Sequence, residues 1–143
     1  MAYTTIDDPS VYFQTTIYTG TGSEQAITHG GNPDLQADWV WIKRRDAANN
    51  HRLTDVVRGA TKEIYSDLAD AEDTQAQGLK SFASDGFTLG TNAGYNADGG
   101  TYVAWNWKAG TSFTNDASST SVGTIDSVGS VNTDVVFSIH NWT

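Results

Sequence analysis

The chain has 143 residues, a length that suits one domain with a real core and leaves no room for two ordinary folds. Its 17 Asp and Glu against 8 Lys and Arg give a formal charge of -9, so the surface as a whole repels polyphosphate and disfavours nucleic acid as a partner. Cysteine is absent, which removes disulfides, thiolate metal sites and cysteine nucleophiles, and no stretch approaches the roughly 18 apolar residues of a spanning helix or the apolar core of a signal peptide.

Leu, Ile, Val and Phe supply only 27 residues, a level at which disorder competes with folding in a charged chain. Five Trp and six Tyr decide for a folded, aromatic-cored domain, because each brings on the order of 150–250 Å² of burial. Val, Ile, Thr and the aromatics together total 52 residues, and these side chains fit a pleated surface. With 14 Gly and many Asn, Asp and Ser between short apolar runs, the chain reads as all-β, an antiparallel sandwich or barrel.

In chain order, the first expected strand is Val11 to Thr19, with Val11, Phe13 and Ile17 on one face, ended by Thr19-Gly20-Thr21-Gly22. Gln25 to His29 follows and closes at Gly30-Gly31-Asn32-Pro33. Ala37 to Lys43 puts Trp39 and Trp41 on one face and Val40 and Ile42 on the other; apolar on both sides, it is expected to be central. His51 to Val57 and Ala60 to Ser66 read as a strand pair about Arg58-Gly59, and Asp85-Gly86 is a turn before Phe87-Thr88-Leu89. Thr101 to Lys108 alternates most clearly, with Val103, Trp105 and Trp107 pointing one way and Tyr102, Ala104 and Asn106 the other. Ser121 to Ile125 and Asp134 to Trp142 are the last expected strands. Ser66 to Gln77 is the one helical candidate, but Leu68 and alanines make a poor apolar stripe, so a solvated loop or one or two turns is expected.

Phe13-Gln14-Thr15-Thr16-Ile17-Tyr18-Thr19 is echoed by Phe137-Ser138-Ile139-His140-Asn141-Trp142-Thr143, and Thr5-Ile6-Asp7 by Thr124-Ile125-Asp126. The echo has two readings: a second copy beginning at the end of the chain, or first and last strands of one sandwich sharing a β pattern. The expected organisation is an N-terminal arm at 1–10, a sandwich module at 11–134, and a last strand or the start of a second copy at 135–143.

Five blocks stand in order: Tyr18-Thr19-Gly20-Thr21-Gly22, Asp38-Trp39-Val40-Trp41-Ile42-Lys43, Val57-Arg58-Gly59-Ala60-Thr61-Lys62, Ser84-Asp85-Gly86-Phe87-Thr88-Leu89-Gly90 and Tyr102-Val103-Ala104-Trp105-Asn106-Trp107-Lys108-Ala109-Gly110. Together they resemble a module abundant in marine tailed bacteriophages, over roughly residues 11 to 143. The resemblance implies a lectin-like, concanavalin-type jelly-roll sandwich, often in tandem, in virion proteins labelled tail fibre or host-specificity protein. It implies a non-enzymatic structural virion protein, an N-terminal attachment module of a tail fibre or of a fibre-like or capsid-decoration protein. Such a chain is made in the host bacterial cytoplasm and placed on the virion, at the tail or the capsid surface. Its expected partners are other phage structural proteins and further copies of itself, with no nucleic acid and no membrane insertion. The alternative is a carbohydrate-binding module that recognises host-surface polysaccharide. No catalytic residue carries over.

The residues themselves point to no catalysis, cofactor or metal. His29, His51 and His140 lack zinc-ligand spacing, and Glu24, Glu63 and Glu72 form no recognisable strand-borne acid pair of the kind glycoside hydrolysis needs. Asp67 to Asp73 and Asn92 to Gly100 offer oxygens that suit calcium but not the spacing of an EF-hand loop, and turn chemistry accounts for them equally. Trp39, Trp41, Trp105 and Trp107, in i, i+2 pairs, are expected to pack into one core rather than to stack on sugars. Tyr95, isolated among Gly and Asn, is the first candidate for a surface contact, with Asn96 and Asp98 beside it. Arg44 and Arg45 join that set because residues 43 to 62 carry a local excess of positive charge that suits docking on an acidic surface, or else a solvated face.

Overall fold

The computed structural model describes residues 6–31 and 34–142. Residues 1–5 of the expected arm, Asn32 and Pro33 of the expected turn, and Thr143 lie outside the described residues. The fold is all-β and antiparallel, as the composition demands. A 3-10 turn, Pro9–Val11, capped by the Asp8 carboxylate, leads into β1 (Phe13–Thr19) and the short β2 (Gln25–Ile27). There follow β3 (Trp39–Arg44), β4 (Arg52–Asp55), β5 (Lys62–Tyr65), the two-residue β6 (Asp73–Thr74), β7 (Leu79–Ala83) and β8 (Gly86–Leu89). A one-turn helix, α1 (Ala93–Asn96), precedes β9 (Thr101–Trp107). The chain ends with β10 (Thr111–Asn115), the one-turn α2 (Ala117–Thr120), β11 (Ser127–Asn132) and β12 (Phe137–Trp142).

These strands make a six-stranded sheet in the order β1-β9-β3-β4-β5-β6 and two three-stranded sheets, β2-β8-β7 and β10-β11-β12. The expected central strand, β3, is flanked by β9 and β4, and the expected pair about Arg58-Gly59 is β4 with β5. Ser66 to Gln77 forms no helix; it is exposed loop apart from β6.

The core lies between the six-stranded sheet and β2-β8-β7. Tyr18, Val40, Ile42, Tyr102 and Ala104 from the large sheet meet Ile27, Leu79, Phe87 and Leu89 from the small one, with Tyr95 of α1 filling the centre. Tyr18 stacks on Tyr102 at 5.1 Å and meets the edge of Phe87. The large sheet's inner face is more polar than the pattern suggested. On β1 the buried side chains are Gln14, Thr16 and Tyr18, whereas Phe13 and Ile17 face outward at 38% and 64% exposure. Hydrogen bonds make this possible: Asn106 Nδ2 donates to the Gln14 carbonyl at 3.0 Å, and Thr16 Oγ1 pairs with His29 Nδ1 at 2.7 Å.

The tryptophans correct a second expectation. Trp39, Trp41, Trp105 and Trp107 are half-buried and share the outer face of the large sheet, because their partners in alternation, Val40, Ile42, Ala104 and Asn106, are the enclosed ones. The third sheet covers part of that outer face. Its Phe137 stacks on Trp39 at 5.7 Å and on Trp107 at 6.3 Å. Asp38 ties this sheet to the rest, its carboxylate accepting from the backbone N–H groups of Ala109 and Gly110, both at 2.8 Å. Ser121 to Ile125 is not a strand: the Asp116 carboxylate caps α2, Ser121 ends it in the left-handed region, and Val122 and Ile125 stand exposed. Phe137–Trp142, the echo of the first strand, is an outer strand here, paired along its length with β11.

Candidate functional site

The residues singled out in the sequence separate in the structure. Tyr95 and Asn96 are interior, at 1% and 0% exposure, so neither is a surface contact. A short polar loop looked exposed because it is rich in Gly and Asn; it instead folds as one turn of helix, capped by Asn92 Oδ1 on the Gly94 N–H, and is pushed into the core. Asn96 is consumed by the backbone, its Oδ1 accepting from Thr21 N–H and its Nδ2 donating to the carbonyls of Ser23 and Gly90. Asp98, Arg44 and Arg45 stay outside. Arg44 pairs with Asp46 at 2.8 Å and lies over the Tyr102 ring, while the backbone N–H of exposed Arg45 donates to the Thr101 carbonyl.

The basic segment is no free patch either. Arg52 donates to both oxygens of Glu63, at 2.7 and 2.8 Å, with side-chain exposures of 12% and 1%. Arg58 pairs with Asp55 at 2.6 Å and reaches Glu72, which also meets Lys62. Glu63 is the hub that sequence reasoning passed over as a poor catalytic acid. Strand alternation puts it on the inner face of β5, where Tyr65 and Tyr95 hydroxyls donate to its two oxygens beside Arg52. Burial, then the bond to Glu63, pushes the Tyr95 hydroxyl far above its ordinary pKa, so Tyr95 stays a proton donor. Arg52 also sits over the Tyr95 ring at 5.0 Å and against Gly94, where a Cβ would collide with the guanidinium. The signal that would have found this hub is period-2 alternation with a charge at an inward position on each of two consecutive strands.

Among the described residues no three His, Asp or Glu side chains gather as a metal site. What the fold does gather is aromatic. Phe13, Trp107 and Trp39 stand opposite one another across β1, β9 and β3, and the next row is Thr15, Trp105 and Trp41. Trp41 and Trp105 meet edge to face with centroids 5.6 Å apart, and Trp41 Nε1 donates to His51 Nδ1 at 3.0 Å. Beyond His51 the surface forms a shallow, open depression lined by Lys43, Ala48, Asn49, Asn50 and Asp67.

The molecule is thus an all-β sandwich whose buried charges hold strands together and whose outer sheet face is aromatic. The chain belongs to the family described as a domain of unknown function, DUF7483, whose model matches residues 8–143. No curated protein and no solved structure matches it.

Proposed function

We propose that this chain is a non-enzymatic structural module of a tailed-bacteriophage virion, serving attachment in a tail fibre or in a fibre-like or decoration protein. One observation carries this reading: the five blocks that resemble virion modules supply the end of β1 with the turn after it, the central strands β3 and β9, the hairpin turn into β8 with β8 itself, and the turn between β4 and β5. In this reading the resemblance lies in the scaffold and the outer aromatic face. The buried acids support the same reading, since Glu63, Asp55 and Asp38 are each engaged by arginine, tyrosine or backbone N–H groups that fix neighbouring elements. Partners in this role are other virion proteins and further copies of the chain, and many weak contacts in parallel give firm attachment.

The test is gold labelling of a tagged chain on purified particles, viewed by electron microscopy. Label at the tail assigns a fibre or adaptor role, and label over the capsid assigns decoration. Intact particles without label overturn the proposal.

A further inference from the structure

The outer face of the large sheet is capped unevenly. Phe137 lies over Trp39 and Trp107, whereas the ring neighbours of Trp41 and Trp105 are each other, Trp39 and His51. Both indoles are partly exposed, in a row completed by exposed Thr15. Next to them the surface turns polar within one residue. Because Trp41 Nε1 donates to His51 Nδ1, that nitrogen is an acceptor and the ring proton sits on Nε2, a second donor beside the indoles. Asp67 anchors the backbone at this position, its Oδ1 accepting the His51 main-chain N–H at 3.0 Å, while the ring itself is held by the Trp41 indole. The adjoining shallow depression is lined by Asn49 and Asn50, with Lys43, whose ammonium donates to the Asn49 carbonyl at 2.7 Å, and Asp67 as charges of opposite sign.

We propose that Trp41, Trp105 and His51, with the shallow surface at Asn49, Asn50 and Asp67, form a binding site for a neutral saccharide. A pyranose ring has one apolar face of C–H groups and an equatorial edge of hydroxyls. The indoles take the face, and the imidazole N–H, amides and carboxylate take the edge, each hydroxyl needing a donor and an acceptor. An apolar protein segment would instead bury the amides and the carboxylate unpaired. The opposed charges of Lys43 and Asp67 favour a neutral hexose chain over a polyanionic one. This inference is independent of virion placement, and either can fail alone.

The test is NMR on the ¹⁵N-labelled chain, whose five Trp give five indole N–H signals. Maltohexaose, cellohexaose and mannohexaose are the neutral probes, and oligogalacturonate is the acidic one, each taken to on the order of 10 mM, above millimolar Kd. A neutral probe should shift the Trp41 and Trp105 indoles and leave Trp142 in place. Trp105→Ala should then weaken that probe about tenfold or more. If Trp105→Ala fails to fold, His51→Gln and the wild-type map decide. No shift with any neutral probe overturns the proposal, as does a shift centred elsewhere or unchanged binding by the variants. Shifts of Trp41 and Trp105 on raising protein concentration without sugar also overturn it, by assigning the face to a second copy.

Discussion

At the scale of single residues, stability rests on polar groups placed inside an aromatic core. Tyr95→Phe keeps the ring and removes the donor to Glu63, leaving an enclosed carboxylate one partner short. We expect a loss of about 1–3 kcal/mol in urea unfolding. Glu63→Gln leaves the buried Arg52 without its counter-charge and should cost more, about 3–5 kcal/mol. His29 gives the chain an acid limit. It is 3% exposed, its Nε2 has no hydrogen-bond partner among the described residues, and burial lowers its pKa below the ordinary 6.5, with Asp85 opposing only in part. Its lowered native pKa means the unfolded chain binds the proton more readily. Stability should therefore be complete above about pH 6.5 and decline as the pH falls through the native value. Thermal melts from pH 8 to 4 should show that decline, and His29→Gln should flatten it.

At the scale of elements, turns decide which strands meet. Gly86 opens β8 at φ 116°, and a Cβ there would strike the Ile27 carbonyl oxygen of β2. Gly86→Ala should cost more than about 1 kcal/mol, lower the melting temperature by several degrees, and loosen β2 and β7 first in hydrogen exchange. Strand existence was legible wherever apolar residues alternate, as in β3 and β9, and so was the Asp85-Gly86 turn. Face assignment was not. Period 2 says that Trp105 and Tyr102 point apart, but not which of the two is inside, and on hydrophobic size alone the tryptophans should win. They lose because Tyr102, Asn106 and Thr16 find hydrogen-bond partners in the interior, and because the third sheet offers Phe137 to the indoles. Tyr95 was misread for a related reason: its burial depends on Arg52 and Glu63, which lie on other strands, and nothing within the Asn92–Gly100 loop encodes that.

At the scale of the whole molecule, the third sheet is the loosely held part. It is joined to the large sheet by the Phe137 stack and the Asp38 clamp, with cavities of about 280 and 260 Å³ on either side of that ring. Its amides should exchange at lower free energy than those of β3 and β9. Phe137→Ala should remove about 1–3 kcal/mol of docking, from two aromatic pairs at ~0.5–1.5 kcal/mol each, and shift tryptophan emission to the red while the core melts nearly as before.

The pairing of β1 with β9 also sets a clock. Gln14 and Asn106, joined through the interior, are 92 residues apart in sequence. At ~5–20 residues per second of synthesis, the first strand leaves the ribosome about 5–20 s before β9, its neighbour in the large sheet, exists. Through that interval the backbone of β1 has no partner and its inward Tyr18 no cover, and an unpaired strand edge is what sticks nascent chains to one another. Translation speed and crowding on the polysome, more than equilibrium stability, should therefore govern how much of this protein reaches its folded form.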